Sequence, residues 1–355
     1  MAASAQEAMA ADSPASASGS IQAIITIDRT EQKYSRRYEI YTRRWWRERL
    51  FTPPVTNGRT VYRIDFDSGV ATPLFDLPQL LDPAILKAAY NNQPWHRKVV
   101  TRGLRTIVPH GDGYVICDVF GIYDVDATGK VLRYLTTPEF SDLHSVFPNE
   151  DNSRLLVTTT GLEQVQEIGW DGTVFDRISF PELYGIGFAK SLVAERAKQS
   201  DLRIMQVEMS RHLFHVNWAE YLDAGHTRML VSLYVPGIVA ILTRKRDGGW
   251  EIERTWSYFP KCHCPTIDFE RNSFIVAISG TDQAVEVDME SGKILWIADN
   301  IRFGKSAVIL DSRRALLGDC NGRRLVEIDR ETGAEIRSIS LPGIPYGVYL
   351  NPSPA

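Results

Sequence analysis

The feature that most constrains this 355-residue chain is a repeat of about 40 residues, each copy carrying four short apolar strands. The clearest copy begins at Pro265, PTIDFERNSFIVAISGTDQAVEVDMESGKILWIA, and the next at Ala307, AVILDSRRALLGDCNGRRLVEIDRETGAEIRSI. Earlier copies begin at Thr106 and Ser145, and a longer one at Val216. Strand, polar turn, strand, Gly-containing loop, strand ending in Asp, Gly turn and last strand recur in that order. Four strands per unit at this period is the pattern of a propeller blade. Turns such as Asp171-Gly172 and Ser291-Gly292 supply the positive φ that tight hairpins need.

Five blades are visible between about 103 and 340. A sixth is expected to be split, with outer strands TVYRIDF from Thr60 and VATPLF from Val70, and an inner strand PYGVYL from Pro345. Closing a ring with both chain ends removes exposed sheet edges. The fold class is therefore all-β, a β-propeller with six blades. Residues 1–20 read as a disordered Ala/Ser-rich leader without a signal-peptide pattern, and 21–355 as one domain. Two segments, about 80–99 and 180–211, break the period, read as helical and form insertions on one face. The basic, aromatic stretch Tyr34–Leu50 reads as an amphipathic element packed on the propeller.

The formal charge is −4, which argues against a nucleic-acid partner, and no apolar run is long enough to span a membrane. The four cysteines, Cys117, Cys262, Cys264 and Cys320, without a secretory signal, point to free thiols in the cytoplasm.

Aligning the blades on their first turn brings one residue of each into register: Arg105, His144, His215, His263, Lys305 and Tyr346. Their spacings are 39, 71, 48, 42 and 41 residues, the long one spanning the 180–211 insertion. In a propeller these positions converge at one mouth of the central channel. The loops returning to that mouth add Glu163, Asp282, Asp319 and Asn321, and Asn217 follows His215 by two.

Imidazoles leaving an open coordination position suit a divalent transition metal, iron or zinc. On this reading His144, His215 and His263 are metal ligands, with Glu163, Asp142 or Asp282 orienting them. Arg105 and Lys305 then hold an anionic group of a small-molecule substrate, with Tyr346, Asn217 and Glu163 completing an enzyme's catalytic set. Oxidative, lyase and hydrolytic chemistry all stay open. A second reading needs no metal: one histidine is nucleophile or base, and its neighbours stabilise negative charge. Here His215-Val-Asn217 followed by MLVSL resembles the His-x-Asn element of bacterial arylsulfotransferases. The resemblance covers about 50 residues plus the general architecture. It implies a six-bladed propeller in which His215 and Asn217 contact a sulfuryl group and His263 or His144 is the nucleophile. Those enzymes are exported and carry an extra N-terminal β-domain, and neither is expected from this sequence. A third reading is a non-catalytic interaction propeller with structural histidines. The titratable axial positions favour chemistry over it.

Alternation along a strand places Cys262 and Cys264 away from the channel if His263 faces it. His110 and His226 are expected in exposed turns at the opposite face, His212 at the rim of the pocket, and Trp95-His96 outside the repeat.

Overall fold

In the computed structural model, which describes residues 22–28, 59–92, 103–186, 196, 198–205 and 211–351, twenty-four strands form six four-stranded antiparallel sheets. Blade 1 pairs the C-terminal strand β24 (Ile344–Asn351) with β1 (Gln22–Asp28), β2 (Arg59–Asp65) and β3 (Val70–Asp76), in that order from the axis outward. Blades 2 to 6 are consecutive: β4–β7 over 107–135, β8–β11 over 143–179, β12–β15 over 216–256, β16–β19 over 262–299 and β20–β23 over 307–340. Their inner strands are β4 (Ile107–His110), β8 (Leu143–Pro148), β12 (Val216–Tyr221), β16 (Cys262–Asp268) and β20 (Ala307–Ile309).

The split blade is present, and it contains one strand the repeat did not reveal. QAIITID, β1, lies second from the axis, between β24 and β2. It stands thirty residues ahead of β2 in the chain, so no local spacing ties it to the blade. Of the expected helical insertions, the first contains α1 (Pro83–Asn92). The second contains the single turn α2 (Phe180–Leu183) and a 3-10 turn at Leu202–Ile204, with helical residues at Arg196 and Lys198. Most of the AKSLVAERAKQS segment lies outside the described residues, as do Tyr34–Leu50, the 1–20 leader and Trp95-His96. No helix among the described residues is long and apolar enough to cross a membrane.

Apolar side chains of facing sheets pack in layers between blades, for example Leu156, Val165, Val216, Val231 and Leu242 between blades 3 and 4. Polar ties on the inner edge join blades 1 to 6 in succession. Thr26 Oγ1 donates to the Arg105 carbonyl at 2.6 Å, and Thr106 Oγ1 to the His144 carbonyl at 2.9 Å. Thr160 Oγ1 donates to the Val216 carbonyl, Asn217 Nδ2 to the Cys262 carbonyl at 3.0 Å, and Thr266 Oγ1 to the Ala307 carbonyl at 2.6 Å. Each accepting carbonyl belongs to an axial residue of the register or to a residue within two positions of one.

Thr26 does double duty, since its hydroxyl also accepts the Gly347 amide at 2.7 Å. Thr26→Val keeps the shape and leaves two buried backbone groups unmatched. It should lower unfolding stability by about 2–3 kcal/mol, measured by denaturant titration; a change under about 0.5 kcal/mol would refute the tie.

Candidate axial site

The six register positions do converge. Arg105, His144, His215, His263, Lys305 and Tyr346 are all buried, none more than 6% exposed. They form a closed circuit with two aromatic residues that the register did not predict. The Arg105 guanidinium lies 3.5 Å from Asp142, whose backbone carbonyl takes His144 Nδ1 at 3.0 Å. The His144 ring meets His215 edge-on at 5.1 Å between centroids. His215 contacts Tyr234 at 4.9 Å, and Tyr234 contacts His263 at 5.0 Å. His263 reaches Phe303 at 5.9 Å. The Lys305 ammonium sits 5.5 Å from the Phe303 ring and 3.9 Å from the Tyr346 ring. The Arg105 guanidinium closes the circuit 4.3 Å from the same Tyr346 ring.

The local backbone explains how the histidines are aimed. Each inner strand that bears one is irregular beside it: the register shifts between Leu143 and Val146, between Val216 and Trp218, and between His263 and Thr266. Such bulges redirect side chains. Left-handed backbone falls at the same places, with φ of 50° at Asp142, 51° at His215 and 40° at Cys264. A left-handed non-glycine residue is costly and needs its surroundings to hold it. At His215 the holder is Glu163. Its fully buried carboxylate accepts the amides of Leu213 at 3.0 Å, Phe214 at 3.0 Å and His215 at 2.6 Å, and His212 Nδ1 at 2.8 Å.

That arrangement corrects the expected role of Glu163. It clamps the backbone of the 212–215 segment and the His212 ring rather than taking a ring N–H of one of the three axial histidines. Asn217 is likewise occupied: its amide nitrogen bridges to blade 5 and its oxygen accepts the Ser232 hydroxyl. Among the returning-loop carboxylates, Asp282 accepts the Phe303 amide at 3.0 Å, and Asp319 pairs with Arg324 at 2.8 Å.

His144 and His263 share one hydrogen-bond pattern. His144 Nδ1 faces the Asp142 carbonyl, and His263 Nδ1 faces the Lys261 carbonyl at 3.0 Å and the Ser279 hydroxyl at 2.9 Å. Carbonyls only accept, so Nδ1 carries the proton in both rings and Nε2 keeps its lone pair when the ring is neutral. Burial holds them neutral. It drives the His144 pKa down to about 3, opposed by Asp142 and helped by the Arg105 and Lys305 charges. His263 falls well below the usual imidazole range through burial and then the Lys305 and His144 charges.

The three histidines were expected to share a metal ion. They occupy consecutive blades along an arc, and Tyr234 stands between His215 and His263. Ligands to one ion each need approach to about 2.0–2.1 Å. Among the described residues, no three His, Cys, Asp or Glu side chains stand close enough together to hold a metal.

The cysteines are free and buried, and burial pushes the Cys117 and Cys262 thiols up to about 12. Simple alternation fails at Cys264. The bulge turns it to where the Lys305 and Arg105 charges act on it, though burial still raises its pKa. His212 lies inside the circuit, its ring 4.7 Å from His215. His226 is half-buried and stacked on Tyr221 at 4.2 Å, not the exposed turn residue expected.

No family model matches the chain, and no curated protein matches it. Solved structures do. One is a chain of a nidogen/laminin complex, 10% identical with a TM-score of 0.56, covering 95% of this chain and 100% of that one. Another is a protein of unknown function from Bacteroides caccae, 11% identical, TM-score 0.54, covering 93% and 98%. The likeness is one of fold. The periplasmic gluconolactonase of Pseudomonas aeruginosa is similar at 15% identity and TM-score 0.50, covering 85% of this chain and 82% of its own. These support the propeller, and add nothing to the arylsulfotransferase resemblance beyond it.

A neutral buried histidine favours folding at neutral pH and must charge in acid. His144 titrates near 6.5 when unfolded and near 3 when folded, so its share of stability is complete above pH 6.5 and is lost as pH falls toward 3. Stability should drop by a few kcal/mol across that window, and His144→Gln should flatten the drop. Nitrogen chemical shifts should show His144 Nε2 unprotonated at pH 5; a protonated ring there contradicts the assignment.

Proposed function

We propose that the axial mouth binds and acts on a small anionic organic molecule, and that its chemistry rests on histidine rather than on a metal. The observation that carries this reading is the pairing of Arg105 and Lys305 against one Tyr346 ring beside two imidazoles held neutral by burial. The Arg105 guanidinium stands 3.5 Å from the Asp142 carboxylate. Two cations gathered against one ring in a low-dielectric wall attract an anion strongly. Arg105 and Lys305 hold a carboxylate, phosphate or sulfate group. His144 and His263 present unprotonated Nε2 atoms as base or nucleophile. Tyr346 keeps the two cations apart and shares their charge through its ring. Asn217 and Glu163 act by positioning: one fixes blade 4 against blade 5, the other fixes His215.

This is group transfer or hydrolysis of the metal-free kind, the chemistry that the arylsulfotransferase resemblance also implies. The fold itself is shared by a gluconolactonase and by a chain from a nidogen/laminin complex, so it does not separate enzyme from binder, and the site has to.

Isothermal titration with inorganic phosphate, sulfate and benzoate should show saturable binding of at least one anion. Arg105→Met and Lys305→Met should each weaken it tenfold or more, about 1.4 kcal/mol. Absence of binding for all three, or full affinity in both variants, overturns the reading. Elemental analysis of protein purified without a histidine tag should find less than about a tenth of an equivalent of iron or zinc. One equivalent in the natural chain, missing in His215→Ala, would restore the metal reading.

A further inference from the structure

At the mouth opposite the axial circuit, the ends of β8 and β12 and the turns that follow them line an open cavity of about 350 Å³. That volume lies at the small end of the range for small-molecule sites. Its charged lining among the described residues is Glu150, Glu220 and Asp223, with no lysine or arginine. Asp223 serves its own turn, accepting the Thr227 amide at 2.8 Å and the Arg228 amide at 3.0 Å. The apolar walls are Phe147 and Tyr221, with the His226 ring lying flat on Tyr221.

Glu220 differs from the buried carboxylates among the described residues. Each of those meets a cation or a set of amides. Asp118 meets Arg59 at 2.7 Å, Asp124 meets Arg133 at 2.6 Å, and Glu167 meets Arg154 at 2.9 Å. Glu286 meets Arg330 at 2.5 Å, Glu327 meets Arg337 at 2.6 Å, and Asp319 meets Arg324 at 2.8 Å. Glu163 has His212 and three amides. Glu220, partly buried on the inner strand β12, has no such cation among the described residues. Its polar neighbour is the Trp218 indole, whose N–H is buried and closes no hydrogen bond of ordinary length. Desolvation accordingly lifts the Glu220 pKa to about 7, and its charge reaches as far as Tyr349 on β24 of blade 1.

A carboxylate left this way destabilises the fold where a glutamine would not. Sites that hold such a group against stability are commonly binding sites. We infer that this cavity binds a small organic ammonium ion, with Glu220 as its counter-charge and the Phe147 and Tyr221 rings as its walls. Aromatic faces attract desolvated ammonium groups, and Glu150 at the rim adds charge of the right sign. The inference uses no residue of the axial circuit, so it stands or falls apart from the proposed anion site.

Calorimetric titration of the full chain at pH 8 with choline and with benzyltrimethylammonium tests it, with 3,3-dimethyl-1-butanol as choline's neutral isostere. We expect saturable binding of at least one ammonium ion, at least tenfold weaker binding of the butanol, and a loss of tenfold or more in Glu220→Gln. Thermal unfolding keeps the variant interpretable. A raised carboxyl pKa costs stability as pH climbs from about 4.5 through 7, so Glu220→Gln should melt at or above the natural chain at pH 8. Phosphate binding at the axial mouth should be unchanged in it. No binding of either ammonium ion, equal binding of the neutral isostere, or full affinity in Glu220→Gln each overturns the inference.

Discussion

The site depends on the ties that run from one blade to the backbone of the next. A propeller blade packs on its neighbours through apolar layers, and apolar packing is tolerant of small slips. Hydrogen bonds from Thr26, Thr106, Thr160, Asn217 and Thr266 to single carbonyls are not tolerant. A shift of one ångström breaks them and leaves a buried carbonyl unmatched. Because those carbonyls belong to Arg105, His144, Val216, Cys262 and Ala307, the ties set where the axial side chains begin. The bulges beside His144, His215 and His263 then set where they point.

Electrostatics divides the molecule along its axis. One mouth carries Arg105 and Lys305 with neutral imidazoles, and the other carries Glu220, Glu150 and Asp223 without a facing lysine or arginine in the cavity wall. Elsewhere buried charge is neutralised locally, as in the Arg330 group, which meets Glu286 at 2.5 Å and Asp268 at 2.7 Å. Ion pairs of that kind hold structure and present little field outward. Like charges gathered at a mouth do present one, and opposite signs at the two ends favour ligands of opposite charge.

Three imidazoles on consecutive blades suggested a shared ion. In the ring they lie along an arc, and the arc is filled by Tyr234, from the loop after β13 (Arg228–Leu233), and by Phe303, from the loop before β20. What unites His144 and His263 is chemical instead: an Nδ1 proton given to a backbone carbonyl and a burial that keeps the ring neutral.

Sequence alone determined the propeller, the six blades, the split closure and all six register positions, because each is a matter of period. A repeat of four strands has few ways to bury its apolar faces, and the ring is the one that leaves no edge. Tertiary structure decided the rest. It placed QAIITID in the blade through pairings distant in the chain. It assigned Glu163 to clamping 212–215, Asn217 to a neighbouring blade, and Cys264 to a bulge that breaks alternation. It also brought Glu220 beside aromatic rings at a mouth where the sequence had marked only an idle His226. These are contacts between blades or across bulges, and nothing in a residue's local pattern encodes which blade it will face.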